Sequence, residues 1–449
     1  MKKPSSVTGI LASSFRLGGV LLATRVVSAG KDMVVSRAFG TSGELDTFLI
    51  AFGVMSFLGS AIANASLSTI VPALARARAE DSERAEAQLT SAGLAAAVVL
   101  PNIVAVAAVL FRSEIASLTA PGFSPERHLH VQTTMLELAF VPMLSAVQSV
   151  LSGTLNARFG FRGAAATTGL TPLAVAGVLL LSGHPSTNLL AAATVLGMVS
   201  EVVALFLLAN RAGANVLAGV SLRSAASTLS PLTKDFFALL AGTGIGSLSP
   251  IVDQAFASLT GGGAVSTLNY GNRLIALAMG LGTASIGLVA LPHFSSLAAA
   301  NKWEEMAQLL KRLALATFLL ALPATAILVG FAEPLVRIMF QRGRFVEADT
   351  MAVARVQAFY ALQIPFHLAG IIGARVLNAT QRTHTILAIV IGNAMINILA
   401  DYVLVRRFGV AGIALSTSCM YVVSCTNILL CARLELRRRR VLTTETRLA

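Results

Sequence analysis

Apolar runs of about 20 residues, separated by short polar segments, recur along the whole 449-residue chain. A helix of about 20 apolar residues crosses the hydrocarbon core of a bilayer. We therefore predict twelve membrane-spanning helices, at residues 7–29, 47–71, 90–111, 132–155, 163–182, 187–209, 235–258, 265–291, 313–331, 352–376, 385–405 and 410–432. The pattern is typical of an all-α polytopic membrane protein.

The two halves of the chain resemble each other. Two blocks recur at nearly the same spacing: Gly43, Thr47 and Pro72 match Gly263, Thr267 and Pro292, and Leu155–Ala157 matches Leu377–Ala379. This repeat predicts two pseudo-symmetric six-helix bundles, residues 1–210 and 235–435, with a cytoplasmic linker at 211–234 and a basic cytoplasmic tail at 436–449. Repeats that run in the same direction are related by an axis along the membrane normal, and such transporters work by rocking one bundle against the other. The sequence thus predicts a central cavity with alternating access.

Composition supports the membrane assignment. Only 12% of the residues are charged and the mean hydropathy is +0.76, whereas about 25% of the residues of soluble proteins are charged. The net charge of +13 does not indicate nucleic acid, because Lys and Arg concentrate in the loops on one side of the predicted membrane. That asymmetry follows the positive-inside rule and predicts that both termini are cytoplasmic. The run Arg437–Arg440 is interpreted as a stop and headgroup anchor.

Two arginines, Arg25 and Arg273, lie inside predicted spans. An arginine at the centre of a membrane helix costs roughly 2.5–3.5 kcal/mol on insertion scales, so such residues usually face a wet cavity or bind an anion. Lys31 lies at the outer end of the first span, and Asp32 falls on nearly the same helix face as Arg25 and is expected to neutralise it. These residues predict a positively charged central cavity. A structural ion pair between the bundles is the alternative for the two arginines.

A second group of polar residues is acidic. Asp253 lies in the seventh span, Asn397 and Asp401 are four residues apart in the eleventh and therefore share a face, and Thr417 lies in the twelfth. Carboxylate, amide and hydroxyl oxygens are the ligands that hard cations such as Na⁺ prefer. Hydrogen-bonded helix contacts, or neutralisation of Arg273 by Asp253, are equally compatible with the spacing.

Nothing in the sequence indicates an enzyme. The glycine-rich stretches 242–246 and 261–263 do not join a strand to a helix, as a phosphate-binding loop requires. The metalloprotease His-Glu-x-x-His motif and the nucleophile elbow do not occur. The three cysteines fit neither a disulfide framework nor a zinc site, and no cofactor is expected other than Na⁺ as a candidate coupling ion.

Several motifs resemble those of the MurJ (MviN) family of lipid-linked precursor flippases, in the multidrug/oligosaccharidyl-lipid/polysaccharide exporter superfamily. The resemblance covers residues 20–430, and its most specific pieces are Thr24-Arg25, Lys31-Asp32, Phe39-Gly40, Leu45-Asp46-Thr47-Phe48, Thr119-Ala120-Pro121-Gly122-Phe123, Asn269-Tyr270-Gly271-Asn272-Arg273-Leu274 and Phe340-Gln341-Arg342-Gly343-Arg344-Phe345. It implies a cationic cavity that binds the diphosphate of an undecaprenyl-linked sugar, with Arg25, Lys31 and Arg273 at the family's cationic positions. It also implies a sodium site on Asp253, Asn397, Asp401 and Thr417.

The chain departs from the family pattern in the second span. Family members usually carry an arginine there, whereas the aligned stretch Phe57-Leu58-Gly59-Ser60 is uncharged, and Asn64 stands where an acidic residue is expected. Many members also have two further C-terminal helices. The substrate expected from the resemblance is therefore either lipid II or an exopolysaccharide repeat unit on the same carrier.

The sequence as a whole predicts a flippase of the bacterial cytoplasmic membrane that moves a polyprenyl-diphosphate-linked saccharide to the outer leaflet. Its expected partners are that substrate, membrane lipids and proteins of cell-envelope synthesis, and not nucleic acid. A cation-coupled exporter of small amphiphiles is an alternative, although the cavity arginines would repel cationic cargo. A membrane-embedded glycosyltransferase or polymerase is another, although it needs a catalytic carboxylate in a large outer loop.

Overall fold

The computed structural model describes residues 7–80, 83–158, 161–214, 216 and 228–448. These residues form eighteen α-helices and one short 3₁₀ turn, and no strand occurs among them. Nine helical stretches in the described part of the chain are long and apolar enough to cross a membrane. The predicted all-α polytopic membrane architecture is confirmed.

The chain divides into two compact units, of which unit 1 comprises Met1–Ile251 and Arg342–Phe345. Its helices are α1 (Val7–Phe39), α2 (Gly43–Ala79), α3 (Glu83–Leu110), α4 (Arg112–Thr119), α5 (Pro125–Glu137), α6 (Val141–Ala157), α7 (Phe161–Thr167), α8 (Leu170–Leu181), α9 (Thr187–Arg211) and α10 (Thr233–Ser247), the last preceded by the 3₁₀ turn Ser230–Leu232. Half of the predicted linker 211–234, residues 215 and 217–227, lies outside the described residues.

Unit 2 comprises Val252–Gln341 and Val346–Ala449. Its helices are α11 (Ser249–Ser258, which begins in unit 1), α12 (Ala264–Ala299), α13 (Trp303–Gly330), α14 (Ala332–Phe340), α15 (Glu347–Ala361), α16 (Ile364–Ala379), α17 (Thr383–Phe408) and α18 (Val410–Leu448). The predicted tail 436–449 is helical in its described part, because α18 continues to Leu448.

Local sequence explains where several helices begin. Ser42 precedes α2, and its hydroxyl accepts a hydrogen bond from the Leu45 amide, with Glu44 and Asp46 in the first turn. A serine cap satisfies a free amide, and acidic residues in the first turn favour the positive end of the helix dipole. Ser124 and Ser186 cap α5 and α9 in the same way.

The order of helices in unit 1 recurs in unit 2. α2 and α12 are long helices with an internal proline, Pro72 and Pro292. α3 and α13 also contain a proline, and each is followed by one short helix, α4 or α14. Two consecutive helices come next in both units, and the second of them starts with a proline in its first turn. Proline lacks an amide hydrogen and is tolerated at such a start. The internal repeat read from the sequence therefore has a counterpart in the helix order.

The tetrapeptide Arg342–Phe345 lies between α14 and α15 of unit 2 in the chain but is part of unit 1. The Arg344 amide donates a hydrogen bond to the Arg37 carbonyl at the end of α1, with a nitrogen–oxygen distance of 3.0 Å. Phe345 is 2% exposed and Phe39 is 1% exposed. Two motifs that are far apart in the sequence, Phe39-Gly40 and Gly343-Arg344-Phe345, thus pack against each other.

Candidate functional site

Three helices of unit 2 bring a group of buried polar residues together. Asp253 lies on α11, Asn397 and Asp401 lie on α17, and Thr417 lies on α18, and each of these residues is at most 8% exposed. The Asn397 amide group donates to an Asp253 oxygen at 2.9 Å and to an Asp401 oxygen at 2.8 Å. One side-chain amide therefore bridges the two carboxylates.

Two hydroxyls of α18 complete this acidic cluster. The Thr417 hydroxyl lies 3.5 Å from the second Asp253 oxygen. The Ser416 hydroxyl donates to the second Asp401 oxygen. Each of the four carboxylate oxygens thus has a hydrogen-bond donor, which a buried carboxylate needs.

The connection between α17 and α18 places Ser416 beside Asp401. Gly409 ends α17 with a φ of +58°, which favours glycine. A Cβ at Gly412 would overlap the Leu404 carbonyl oxygen. Because only glycine permits this close approach, the start of α18 lies directly against the last turns of α17.

Among the described residues, no basic side chain balances the charge of the acidic cluster. Within the described part of the chain, neither Asp253 nor Asp401 forms an ion pair with Lys, Arg or His. In particular, the hydrogen bonds of Asp253 go to Asn397 and Thr417 and not to Arg273. An uncompensated buried carboxylate is costly, so such groups take up a proton or pair with a cation. The oxygen-rich donor set and the missing positive charge fit a small hard cation.

In unit 1, the C-terminal half of α1 carries the predicted cationic residues. The Lys31 ammonium lies 2.7 Å from an Asp32 carboxylate oxygen, and the Asp32 side chain is 8% exposed. Arg25 is exposed and forms no hydrogen bond or ion pair with the residues that the structure describes. Asp32 therefore pairs with its chain neighbour Lys31 and not with Arg25, which lies seven residues away, roughly 10 Å along the helix axis.

In unit 2, Arg273 lies near the start of α12 and is half-buried. A Cβ at Gly271 would come within 2.6 Å of a Val356 methyl group, and the Tyr270 ring lies 5.0 Å from the Phe340 ring between centroids. These contacts hold the opposite side of α12 against α14 and α15. They fix the rotation of the helix and leave the neighbouring Asn272 exposed.

A further arginine was not recognised as a candidate from the sequence. Arg375 lies on α16 and was assigned to the cytoplasmic side of the predicted topology. Its Nε atom is buried without a hydrogen-bond partner among the described residues. It follows Leu368 by seven residues, and Leu368 lies against Gly282 of α12. Arg375 therefore lies on the face of α16 toward α12, the helix that carries Arg273.

The structure brings Asp253, Asn397, Asp401 and Thr417 together as one cluster. Ser416 was missed, although its position next to Thr417 is a signal that the sequence contains. Arg25, Lys31 and Asp32 lie in unit 1, and Arg273 lies in unit 2.

Comparison with known proteins identifies relatives over almost the whole chain. The family model "Lipid II flippase MurJ" matches residues 35–448. The lipid II flippase MurJ of Burkholderia cenocepacia is 28% identical over 441 residues, which cover 94% of this chain and 83% of that protein. A probable lipid II flippase MurJ of Synechocystis is 25% identical, covering 92% of this chain and 78% of that protein.

Solved structures share the fold. A structure of lipid II flippase MurJ in an inward closed conformation matches with a TM-score of 0.78 at 20% identity, over 93% of this chain and 87% of the other. An inward-facing multidrug resistance transporter of the MATE family matches with a TM-score of 0.71 at 14% identity, over 93% and 95%.

Proposed function

The chain belongs to the MurJ family of lipid II flippases, and from that membership we propose that its cargo is lipid II, moved from the inner to the outer leaflet. The protein is a multi-pass protein of the bacterial inner membrane and a transporter of lipid-linked saccharides. We further propose that both termini are cytoplasmic, as the distribution of Lys and Arg in the loops predicts.

The observation that carries this proposal is the environment of Arg25. The guanidinium keeps its charge at all physiological pH values, and it lies exposed on α1 without a partner among the described residues. The proposal assigns it to the diphosphate of the cargo, because guanidinium groups form strong bidentate hydrogen bonds with phosphate oxygens. Lys31, held by Asp32, adds a second cation about two turns further along α1.

Arg273, on α12, is likewise proposed to bind the diphosphate of the cargo. Its position on α12 is fixed by the contacts of Gly271 and Tyr270, and a fixed arginine binds an anion with less loss of entropy than a mobile one. Arg375, on the α12-facing side of α16, is proposed as a further anion-binding residue. A membrane potential that is negative inside favours outward movement of the anionic cargo, because each unit charge that crosses the full field contributes about 2.3 kcal/mol per 100 mV.

Binding of a polyprenyl-diphosphate saccharide to the purified protein tests these roles. A charge-assisted hydrogen bond contributes about 1.5–3 kcal/mol, so Arg25→Ala and Arg273→Ala are each expected to weaken binding roughly 10- to 150-fold. Arg84→Ala is the matched control, because Arg84 is an exposed arginine at the start of α3. Wild-type affinity in both Arg25→Ala and Arg273→Ala would contradict the assignment.

We also propose that the acidic cluster binds Na⁺ as a coupling ion. Asp253, Asp401, Thr417 and the Asn397 carbonyl oxygen would hold the ion, with Asn397 turning its amide so that the oxygen faces the site. Bound sodium supplies the positive charge that the cluster lacks. Turning the amide would remove its hydrogen bonds to Asp253 and Asp401, and the bound ion would then face the two carboxylate oxygens that lost their donor.

Thermal unfolding in NaCl and in choline chloride at equal ionic strength tests the sodium site. A ligand at 100 times its dissociation constant stabilises a protein by about 2.7 kcal/mol, so NaCl is expected to raise the melting temperature of the wild type. Asp401→Asn should remove this response. Asn393→Ala is the control, because Asn393 donates to Ser424 at 2.9 Å between the same two helices, α17 and α18. An equal sodium response in wild type and Asp401→Asn would contradict the site.

One observation favours a second cargo, an exopolysaccharide repeat unit on the same lipid carrier. No charged residue lies on α2 between Asp46 and Arg76. At Gly59 a Cβ would come within 3.0 Å of the Pro142 Cα atom of α6, so this position has no room for an arginine. Direct comparison of lipid II with an exopolysaccharide repeat unit in the binding measurement separates the two cargoes.

A further inference from the structure

The four consecutive arginines Arg437–Arg440 near the end of α18 have two different environments. Arg439 and Arg440 turn toward unit 2: Arg439 donates to Glu435 at 2.7 Å and to the Thr380 carbonyl at 3.0 Å, and Arg440 pairs with Glu304. Arg437 and Arg438 are exposed, and neither forms an ion pair or a hydrogen bond with a described residue. Arg439 and Arg440 therefore have structural partners, whereas Arg437 and Arg438 have none among the described residues.

The exposed arginines belong to one continuous face of α18. Residues at intervals of three and four positions share a helix face, and the exposed members of this face are Leu430, Arg433, Leu434, Arg437, Arg438, Val441 and Leu442. The apolar members are 49–62% exposed. We call this set the arginine–leucine face. Apolar side chains and arginines are interspersed on it, so neither bulk water nor hydrocarbon alone suits it.

Nearby acidic residues do not neutralise this face. Glu435 is taken up by Arg382 at 2.8 Å and by Arg439. Glu304 pairs with Arg440, and Glu305 pairs with Lys302 at 2.9 Å. Among the side chains that the structure describes at this end of unit 2, these three carboxylates are thus engaged by other cations, and none of them pairs with Arg433, Arg437 or Arg438.

The arginine–leucine face crosses the end of an apolar run. Leu430 lies within the predicted span 410–432, and Arg437 lies roughly 10 Å further along the helix, at 1.5 Å per residue. The Arg439 guanidinium lies over the buried Trp303 ring, 5.2 Å from its centroid, which holds this part of α18 against the core of unit 2. The leucines therefore lie toward the apolar run and the arginines toward its polar end.

We propose that the arginine–leucine face is a binding surface for anionic phospholipid headgroups. The guanidinium groups of Arg433, Arg437 and Arg438 hold the lipid phosphates, and Leu430 and Leu434 contact the acyl chains. Val441 and Leu442 continue the face along the interface. An anionic lipid matches both kinds of side chain, because its phosphate fits the arginines and its acyl chains fit the leucines. An acidic protein partner would match only the arginines. This inference is independent of the transported cargo.

Native mass spectrometry of the full-length protein, titrated with phosphatidylglycerol or with phosphatidylcholine, tests the proposal. An arginine near an anionic membrane surface changes affinity about fivefold, so Arg437→Gln with Arg438→Gln should weaken phosphatidylglycerol binding roughly thirtyfold. Phosphatidylcholine binding should not change. Arg76→Gln with Arg84→Gln removes the same charge from exposed positions of unit 1 and should retain the preference for phosphatidylglycerol.

A second variant separates lipid binding from folding. Arg439→Gln should lower the melting temperature, because it removes the contacts with Glu435 and Trp303, yet it should keep the preference for phosphatidylglycerol. The proposal is overturned if the wild type binds both lipids equally, or if Arg437→Gln with Arg438→Gln binds phosphatidylglycerol like the wild type. It is also overturned if the double variant changes only the monomer–dimer ratio, since a second copy of the chain would then be the occupant.

Discussion

The contact between Gly40 and the tetrapeptide Arg342–Phe345 gives a quantitative prediction for unit 1. Gly343 has a φ of +61°, and a Cβ there would lie 2.5 Å from the Arg37 carbonyl oxygen. Gly40 has a φ of +58°, and its Cβ would lie 2.5 Å from the Arg344 carbonyl oxygen. Each glycine therefore allows the backbone of the other segment to approach, and no other residue type fits at either position.

Replacing Gly343 by alanine should lower the free energy of unfolding by roughly 2–3 kcal/mol. A left-handed backbone costs a residue with a Cβ about 1–2 kcal/mol. Displacement of the Arg37 carbonyl also lengthens its hydrogen bond with the Arg344 amide, which contributes about 0.5–1.5 kcal/mol. The ion pair between Arg344 and Glu44, at 3.7 Å and with both side chains more than half exposed, adds little.

Denaturant titration in mixed micelles, followed by circular dichroism, measures this change. Gly330→Ala is the control, because Gly330 lies at the end of α13 without a positive φ, and a Cβ there would meet no atom within 4 Å; alanine at this position should be neutral or slightly stabilising. Gly40→Ala combined with Gly343→Ala should cost less than the sum of the two single changes, since both disrupt one contact. A Gly343→Ala protein within about 0.5 kcal/mol of the wild type would refute this reasoning.

Three further predictions follow from other contacts of the described residues. Glu86→Gln should destabilise the protein by about 3–5 kcal/mol, because it leaves Arg158, which lies 2.6 Å from Glu86 in a largely buried pair, without its counter-charge. As a control, Arg337→Gln breaks an exposed pair and should change the unfolding free energy by less than about 1 kcal/mol. Equal effects of the two substitutions would be inconsistent with the burial argument. Gly197→Val should lower the free energy of unfolding by about 1–3 kcal/mol in the same titration, because a Cβ at Gly197 would lie 2.7 Å from the Thr171 Cα atom where α8 crosses α9. An unchanged free energy would show that the two helices separate freely. In detergent, N-ethylmaleimide should modify the exposed Cys419 before the buried Cys425, as peptide mass mapping would establish, and the reverse order would show that α18 is rotated.

The apolar pattern predicted the membrane helices well, because the length of an apolar run is set by the thickness of the bilayer. Each of the twelve predicted segments falls on one helix or on two consecutive helices. The breaks within four segments, at residues 138–140, 168–169, 248 and 362–363, were not predicted. The chain is apolar on both sides of these breaks, so hydropathy does not change there, and a proline in the first turn is also compatible with a continuous kinked helix.

Side-chain partners were harder to predict than helices. The i,i+4 spacing of Asn397 and Asp401 predicted that they share a face, and the structure places Asp253 and Thr417 beside them. The pairing of Asp32 was expected with Arg25 on the basis of helix geometry, but Lys31 is closer and binds it. Spacing shows which side chains share a face, whereas the choice between two nearby cations depends on rotamers that the sequence does not encode.

The packing of Gly343 against Arg37 could not be predicted for a related reason. About 300 residues separate the two positions in the chain, and nothing local to either segment indicates the other. The glycines at 40 and 343 were visible as motif residues, but a glycine is compatible with many turns. Only the fold shows that each is required by the backbone of the other segment.

The central claim is that the permanent charges of Arg25 and Arg273 act on the diphosphate of a lipid-linked saccharide during transport. The most direct test is the rate at which purified protein, reconstituted in vesicles, moves lipid II between leaflets, measured as accessibility to an added enzyme or probe on one side. The account predicts rapid movement by the wild type and by Arg84→Ala, and little movement by Arg25→Ala or Arg273→Ala at equal protein incorporation. Wild-type rates in both of the latter variants would contradict it.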